Sequence, residues 1–251
     1  MTVFYLTATG NSLSVAKRIG GTLISIPQVI DSDNLHYSDD VIGIVFPVHW
    51  WNLPIIVRRF IEKASFEADY YFAIGTYGSL AGGEMADLQN RAKKGGYCFD
   101  YTGHLLMLDN YLPAYDMGAQ IDKLPKRRIP ERTDRIVADI KSRATIKTKA
   151  NLGKRALTAT MGHVFKPYNS AQKYIVGDGC NRCGVCSQAC PAKNIAVAES
   201  VIFSSRCEGC LACLHLCPQN ALHLKNEKSD KRWRNPEVSM KEIIEANNRH
   251  R

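Results

Sequence analysis

Eight of the nine cysteines in the chain fall into two copies of one spacing. Each copy has three cysteines separated by two residues each, then a fourth after three further residues that is followed by proline. Three such thiolates can wrap one corner of an iron–sulfur cubane, while the fourth points away and reaches a second cubane. The spacing therefore predicts two 4Fe–4S clusters. The expected ligands are Cys180, Cys183, Cys186 and Cys217 for one cluster, and Cys207, Cys210, Cys213 and Cys190 for the other.

Zinc and disulfides are the other common uses of closely spaced cysteines. Zinc sites usually show two Cys-x-x-Cys pairs separated by a finger, not a four-cysteine run that ends in Cys-Pro. Disulfides need an oxidising compartment, which nothing in the sequence indicates. The stretch is also too short to fold on apolar burial alone, so the metal–sulfur bonds are expected to act as cross-links that stabilise it.

A second chemical signal lies near residue 7, between a predicted buried strand and an apolar-periodic helix. The turn between them is rich in hydroxyl groups; its residues are Thr7, Ala8, Thr9, Gly10, Asn11 and Ser12. Backbone N–H groups at a helix start, with Thr and Ser hydroxyls, can bind phosphate. The turn has no Lys or Arg, no Gly-Lys-Ser/Thr and no G-x-G-x-x-G, so it favours the phosphate monoester of FMN over a hydrolysed nucleotide or a dinucleotide. The six residues alone also fit an ordinary strand-to-helix turn.

The elements that must position this turn alternate along residues 1–148. Strands are predicted at 2–6, 24–30, 41–46, 70–75 and 97–108, and helices after the turn, near Pro54, near Glu84 and over 130–148. This alternation predicts an α/β fold with a doubly wound, five-stranded parallel sheet, which binds ligands at the carboxyl ends of its strands. Loops after the third, fourth and fifth strands should converge there. Their cofactor-binding candidates are Pro47, Trp50, Trp51 and Asn52, then Thr76, Tyr77, Gly78, Gly82 and Gly83.

Some residues near these loops have ordinary interpretations. One of the two adjacent tryptophans is expected to be simple core packing. His49 is interpreted as a loop hydrogen-bonding residue and not a catalytic base, because the sequence shows no carboxylate partner near it. Cys98 lies in a strand pattern and is expected to be a small buried residue. No catalytic residue is predicted.

Four segments follow from these patterns. They are an FMN-binding domain over 1–148, a basic connector without a clear period over 149–172, a small α+β two-cluster domain over 173–224, and a charged tail over 225–251. In the tail, Asn235-Pro236 is expected to cap a short helix that carries Met240, Ile243 and Ile244 and covers an edge of the protein.

The composition is that of a globular protein, with 251 residues of which 45% are hydrophobic and 23% charged. No stretch of 18 apolar residues predicts a membrane span, and the first residues enter a strand pattern without a charged leader, so a cytoplasmic location is expected. The net charge of +9 is uneven, because residues 121–176 hold 14 Lys or Arg against 4 Asp or Glu. This segment is interpreted as a solvated helix face or as a docking surface for an acidic redox protein, and not as a nucleic-acid-binding fold.

Two parts of the chain resemble known families. Residues 1–145 resemble flavodoxin, because the turn at 7–12 matches its phosphate loop, and Trp50 or Trp51 and Tyr77 stand where flavodoxins flank the flavin ring. Residues 173–224 resemble the bacterial two-cluster ferredoxins. The whole chain is similar to the flavodoxin–ferredoxin fusion proteins of anaerobic bacteria and archaea, although a Thr-Ala pair replaces the Ser-Gly that many of them carry at 7–8. The resemblance implies bound FMN, main-chain contacts to it from Asn52 and Gly78, and aromatic rings that exclude water.

The cofactor set predicts an electron-transfer flavoprotein in which two 4Fe–4S clusters link an external redox partner to FMN. One alternative is an FMN-dependent reductase of a quinone or nitro compound, fed by the clusters. Another is a redox or oxygen sensor that signals through cluster loss. If the clusters lie too far from the flavin within one chain, a homodimer could bring one chain's clusters to the other's flavin.

Overall fold

The computed structural model describes residues 1–149, 151–164 and 173–248. Within these ranges the strands are β1 (Thr2–Tyr5), β2 (Thr22–Ser25), β3 (His36–Ser38), β4 (Val41–Pro47), β5 (Ser65–Glu67), β6 (Tyr70–Tyr77), β7 (Tyr101–Leu106), β8 (Tyr174–Val176), β9 (Ile195–Val197), β10 (Val201–Phe203) and β11 (Leu222–Leu224). The helices are α1 (Asn11–Ile19), α2 (Ile26–Val29), α3 (Ile55–Lys63), α4 (Glu84–Lys94), α5 (Met117–Ile121), α6 (Leu124–Arg127), α7 (Ile129–Lys141), α8 (Leu152–Val164), α9 (Val185–Gln188), α10 (Ala212–His215) and α11 (Met240–Asn247).

Five strands form a parallel sheet in the spatial order β2-β1-β4-β6-β7. Numbered along the chain within the sheet, this is the 2-1-3-4-5 order of flavodoxin-like folds. The predicted flavodoxin-like sheet is therefore confirmed. Successive side chains of a strand point to opposite faces, so the apolar run of β4 supplies two cores. Val45 packs on one face with Phe72, and Ile44 and Phe46 pack on the other.

Two of the predicted strands have different boundaries in the structure. The fifth strand begins at Tyr101 and not at 97, because Tyr97 and Phe99 turn into the core on the face of the sheet that carries Ile44 and Phe46. Cys98 lies between these two buried rings and is exposed, so the prediction that it is buried was wrong. The predicted strand at 24–30 ends at Ser25, where the short helix α2 begins with Pro27 in its first turn.

The C-terminal part is a small α+β unit, as predicted. β9 and β10 form one antiparallel hairpin, and β8 pairs with β11 in a second two-stranded sheet. Its core is shared with the segment that follows β7: Leu112 and Met117 pack with Leu214, Leu222 and Trp233. The two parts of the chain are therefore joined by continuous apolar packing.

Three helices differ from expectation in position or extent. The helix predicted over 130–148 is α7, which ends at Lys141, and the chain turns at Arg143, whose φ is +51°. The connector contains α8, which packs against α4, although the sequence showed no clear period there; residues 165–172 of the connector lie outside the described residues. α11 begins at Met240, where Ser239 and Glu242 form a capping box, and not at Asn235-Pro236. It packs against both α2 and α9, so it lies between the two parts of the chain. The segment boundaries predicted from the sequence remain predictions.

Every helix among the residues that the structure describes is too short or too polar to span a lipid bilayer.

Candidate functional site

A cavity of about 230 Å³ lies at the carboxyl edge of the parallel sheet. The loops after β1, β4, β6 and β7 line it, as expected for a switch point between strands. Ten of the fifteen predicted cofactor-binding residues are in its wall, namely Ala8, Thr9, Asn11, Ser12, Pro47, Trp50, Trp51, Thr76, Tyr77 and Gly78. The turn at 7–12 and the aromatic loops therefore meet around one space.

The turn at 7–12 is held by hydroxyl and amide groups. Ser12 Oγ lies 2.8 Å from Thr76 Oγ1, and Asn110 Nδ2 donates to Thr9 Oγ1 at 3.0 Å. Thr7 does not line the cavity; its Oγ1 accepts from the N–H of Gly10 at 3.2 Å. The wall that this turn presents carries neutral donors and no cation, which fits a phosphate monoester.

Gly10 lies behind the cavity, against the C-terminal segment. Its φ is +98°, and an added Cβ would stand 3.0 Å from Cβ of Asn235. The N–H of Asn235 donates to the carbonyl of Thr9 at 2.8 Å, and its side-chain amide donates to Asn11 Oδ1 at 3.1 Å. The glycine of the turn therefore permits close packing of the C-terminal segment.

The Trp50–Trp51 loop is fastened from outside the cavity by Thr158 of α8. Thr158 Oγ1 donates to the carbonyl of Trp51 at 2.8 Å and accepts from the N–H of Gly83 at 2.6 Å. Asn52 Nδ2 donates to the carbonyls of Trp50 and Thr158, at 3.1 and 3.2 Å. Both tryptophans have positive φ, 53° and 60°, which is costly for non-glycine residues. Asn52 and Gly83 thus support the loops and do not line the cavity.

Gly82 also lies behind these loops, since an added Cβ would stand 2.3 Å from the carbonyl of Trp51. In the cavity, Trp50 and Tyr111 meet edge to face, with ring centroids 4.5 Å apart and planes at 78°. Gly78 approaches the loop after β7 so closely that a Cβ would lie 2.3 Å from Asp109. Tyr111 and Asp109 were not among the predicted site residues, although the loop that carries them was predicted to reach this edge.

Two smaller cavities lie in the C-terminal part, and each is lined by four cysteines. The first is lined by Cys180, Cys183, Cys186 and Cys217, and the second by Cys190, Cys207, Cys210 and Cys213. These are the two crossed sets predicted from the spacing. Within the described ranges, no three His, Cys, Asp or Glu side chains are grouped closely enough to hold a single metal ion. Each set instead surrounds a space, which is the arrangement that a cubane needs.

The chemistry of the two cysteine sets also fits a bound cluster. Burial raises the pKa of Cys186 to about 11 and raises those of Cys210 and Cys213 well above their ordinary value. Thiolates at such positions need positive charge close by, which an iron–sulfur core supplies. Donors are also aimed at the sulfurs. Backbone N–H groups lie 3.3 Å from Cys190, Cys207 and Cys217 Sγ, and the Tyr174 hydroxyl lies 3.6 Å from Cys207 Sγ.

The two cysteine sets face different surroundings. In the first set Cys183 is exposed and Cys180 half-buried. In the second set Cys190, Cys207 and Cys213 are buried. Cys210 of this set also lines the large cavity, together with its neighbours Gly209 and Leu211. The second set therefore adjoins the cavity at the sheet edge, and the first set reaches the surface.

A buried carboxylate joins the second cysteine loop to the sheet domain. Glu208 is 6% exposed, and its two oxygens accept from the N–H groups of Ile55 and Ile56 at the start of α3, at 2.9 and 2.8 Å. His49, which lines the cavity, has Nδ1 3.9 Å from Glu208 Oε2. The interpretation that His49 lacks a carboxylate neighbour was therefore wrong, because the neighbour comes from a distant part of the chain.

Two uncharged side chains, His215 and Asn247, also form hydrogen bonds that join the two parts of the chain. His215 Nε2 donates to the carbonyl of Asn110 at 2.7 Å, while its Nδ1 accepts from the N–H of Trp233 at 3.1 Å. Burial lowers the pKa of His215 to about 4, so the ring is neutral near pH 7. Asn247 of α11, which is fully buried, donates to carbonyls of both parts at 3.0 Å, those of Thr7 and Ala189.

Comparison with known proteins covers both parts of the chain. The family described as a 4Fe-4S dicluster domain matches residues 172–218. A provisionally assigned flavoprotein from Bacteroides uniformis ATCC 8492 is 22% identical, with 43% of this chain and 91% of that chain covered and a TM-score of 0.34. The two-electron reduced flavodoxin of Megasphaera elsdenii is 18% identical, with 45% and 90% covered and a TM-score of 0.33. No curated protein matches the chain. Both TM-scores are low, so the flavodoxin-like fold of the N-terminal part is inferred from its strand order and not from these two structures.

Proposed function

Because the chain joins a flavodoxin-like sheet to a 4Fe–4S dicluster domain, we propose that it is an electron-transfer iron–sulfur flavoprotein. Two 4Fe–4S clusters bind the two cysteine sets, and FMN binds in the cavity at the sheet edge. The clusters carry single electrons and FMN accepts one or two, which is chemistry that the side chains alone do not supply. The protein passes electrons between an external redox partner and the flavin.

One observation carries this proposal. The cavity that suits FMN is walled on one side by the loops of the sheet and on another by Gly209, Cys210 and Leu211, which belong to the second cysteine loop. A cluster bound by that loop adjoins a flavin bound in the cavity. Transfer within one chain is therefore supported, and a dimer is not needed to bring the two cofactors together.

The residues of the chain have distinct tasks in this function. Thr9, Asn11 and Ser12 offer neutral donors to the phosphate of FMN. Trp50 and Tyr77 line the cavity with aromatic surface that excludes water from the ring. The buried cysteines hold the second cluster away from solvent, while the exposed Cys183 places the first cluster where another protein can reach it.

The external partner is a redox protein, and charge favours an acidic one. The positive excess of the chain lies in residues 121–176, which include α7 and α8. α8 contacts the Trp50–Trp51 loop through Thr158, so part of this basic segment lies beside the flavin cavity. Attraction between opposite charges would accelerate encounter at low salt.

Anaerobic reconstitution tests the cofactor set. About eight irons and one FMN per chain are expected from the ligand count. Cys213→Ser should lose about four irons, the content of one cubane, whereas Cys98→Ser, which changes an exposed cysteine outside both sets, should lose none. Reduced clusters should then reduce bound FMN in a single-turnover experiment. Full iron loading without any reduction of FMN would refute electron transfer between the two sites.

A reductase of a small acceptor is the second candidate, and the rim of the cavity favours it. Leu80 lines the cavity and is 51% exposed, so the cavity opens to solvent beside the loop after β6. A planar quinone or nitro compound could approach FMN there. Steady-state turnover of such an acceptor well above the rate with free FMN would support this role, and a rate equal to that of free FMN would exclude it.

A further inference from the structure

Glu208 is the acidic residue between Cys207 and Gly209 in the second cysteine loop, and its carboxylate is buried against the other part of the chain. It is 6% exposed, and each of its oxygens accepts a backbone N–H, from Ile55 at 2.9 Å and from Ile56 at 2.8 Å. These donors are the first two N–H groups of α3, a nine-residue helix. Glu208 therefore caps a helix of the sheet domain from the cluster loop.

A carboxylate suits this position for two physical reasons. The N-terminus of α3 has free N–H groups and a partial positive charge, and its N-cap residue Pro54 supplies no side-chain bond. Hydrogen bonds from N–H groups to an ionised carboxylate are also stronger than bonds between neutral groups. Because the site is buried, loss of the carboxylate would leave two donors without partners.

The cap lies next to the residues that reach the cavity. Gly209 follows Glu208 directly, and Gly209, Cys210 and Leu211 all line the cavity. Gly209 and Leu211 both have positive φ, 64° and 58°, so the loop follows one particular path after the cap. On the other side, His49 lines the cavity with Nδ1 3.9 Å from Glu208 Oε2.

We propose that Glu208 is a positioning residue that latches the second cysteine loop to α3 and so sets the separation between its cluster and the flavin cavity. This inference rests on the proposed function. The step that it serves moves one electron from a reduced cluster to FMN, so the cluster is oxidised and FMN is reduced. No bond at Glu208 forms or breaks in that step, and its charge does not change.

Two other side chains also form hydrogen bonds between the two parts. His215 bonds Asn110 from α10, and Asn247 bonds Thr7 and Ala189 from α11. Asn110 also lines the cavity, and the N–H of His215 donates to the carbonyl of Leu211 at 3.1 Å, so His215 holds the far end of the Gly209–Leu211 stretch. Glu208 holds its near end. Removal of the Glu208 latch should therefore release the start of this stretch while the bonds of His215 and Asn247 remain in place.

Glu208→Gln in the full-length protein with its cofactors is the first test. A glutamine can accept one of the two N–H groups, but its amide nitrogen cannot accept the other. Amide exchange at Ile55 and Ile56 should become roughly ten- to a hundredfold faster, as expected for loss of one charge-assisted bond. Single-turnover reduction of FMN by the clusters should slow by about tenfold, because the rate of electron transfer depends steeply on the separation between the cluster and the flavin. Glu199→Gln, which changes an exposed glutamate of the same domain, should leave both values unchanged.

Ile55→Pro tests the latch from the other side, away from the cysteines. Proline is tolerated at the first position of a helix and removes only the N–H that Glu208 accepts there. Pro54 already has φ −54° and ψ 143°, which a following proline permits. The matched control is Ile55→Ala, which shortens the same side chain and keeps the N–H. Ile55→Pro should raise exchange at Ile56 and slow FMN reduction, and Ile55→Ala should do neither to a comparable extent.

The outcomes separate the latch from the function that it serves. Unchanged exchange and unchanged FMN reduction in both test variants would overturn the inference. Slower FMN reduction in Glu208→Gln but not in Ile55→Pro would also overturn it, because the charge and not the hydrogen bond would then be responsible. If Glu208→Gln loses iron, slower FMN reduction in that variant no longer reports on the latch. The FMN reduction rate of Ile55→Pro then decides whether the inference holds. Parent protein that never reduces FMN through its clusters would instead refute the proposed function, while amide exchange would still report on the latch.

Discussion

Thr158→Val should weaken FMN binding, although Thr158 does not line the cavity. The threonine hydroxyl donates to the carbonyl of Trp51 and accepts from the N–H of Gly83, so it ties together the loops after β4 and β6, which both reach the cavity. Valine has nearly the same shape and removes both bonds. The variant therefore tests whether α8 holds the cavity in the form that binds FMN.

The magnitude follows from the two bonds. Each is worth a net 0.5–1.5 kcal/mol on average, so their loss weakens the folded loop arrangement by about 1–3 kcal/mol. Trp50 and Trp51 both have positive φ, which costs on the order of 1–3 kcal/mol each. Without the two bonds, the loop should therefore relax to a less strained backbone conformation. If only the fastened form binds FMN, the dissociation constant should rise, by at most about 5- to 150-fold.

Anaerobic titration of flavin-free, iron-loaded protein with FMN, followed by flavin fluorescence, measures this change. Thr160→Val is the matched control, because Thr160 is exposed on the same helix. The control should bind FMN like the parent. An unchanged dissociation constant in a folded Thr158→Val protein would refute the reasoning, since the loop would then keep its shape without the helix.

Three further predictions concern other parts of the molecule. Gly10→Ala should lower the free energy of unfolding by about 1–3 kcal/mol in anaerobic urea unfolding, and by more than Gly96→Ala, which has a positive φ of 85° but no atom within 4 Å of the added Cβ. Tyr174→Phe removes a donor 3.6 Å from Cys207 Sγ, so the potential of that cluster should fall by about 20–60 mV, while the other stays constant in an EPR-monitored titration. The pKa of Glu242 is lowered from 4.5 to about 2, chiefly by its bond from a lysine of α1, so the stability it contributes is complete above pH 4.5 and is lost as the pH falls toward 2. The protection factors of the α11 amides, which compare each exchange rate with the intrinsic rate at the same pH, should therefore fall over that range, and Glu242→Gln should reduce this fall; protection factors that stay constant or rise would contradict the assignment.

Local patterns in the sequence were sufficient for the cysteine sets and the sheet. The spacing predicted that Cys217 belongs with Cys180, Cys183 and Cys186, and the structure brings these four together around one cavity. Alternating strands and helices predicted the parallel sheet, and the carboxyl ends of its strands pointed to the correct edge for the cavity. Both signals depend on short-range spacing, which a single sequence displays directly.

Boundaries were less predictable because tertiary packing competes with local propensity. Tyr97 and Phe99 continue the apolar pattern of β7, yet they turn into the core before the strand begins, which leaves Cys98 exposed between them. The connector helix α8 has no strong period of its own. Hydrogen bonds of Thr158 tie it to the Trp50–Trp51 loop and to the loop at Gly83. No local sequence pattern predicts these bonds.

By itself, the sequence determined which cysteines group together, that a parallel sheet presents the hydroxyl-rich turn at 7–12 at one edge, and where the positive charge lies. Only the tertiary structure decided that the second cysteine loop forms a wall of the cavity, and that Glu208 caps α3 from more than 150 residues away. The physical reason is that a carboxylate that caps a distant helix has no characteristic spacing, since its partners are backbone N–H groups that every helix start offers. Contacts of this kind follow from how the two parts pack.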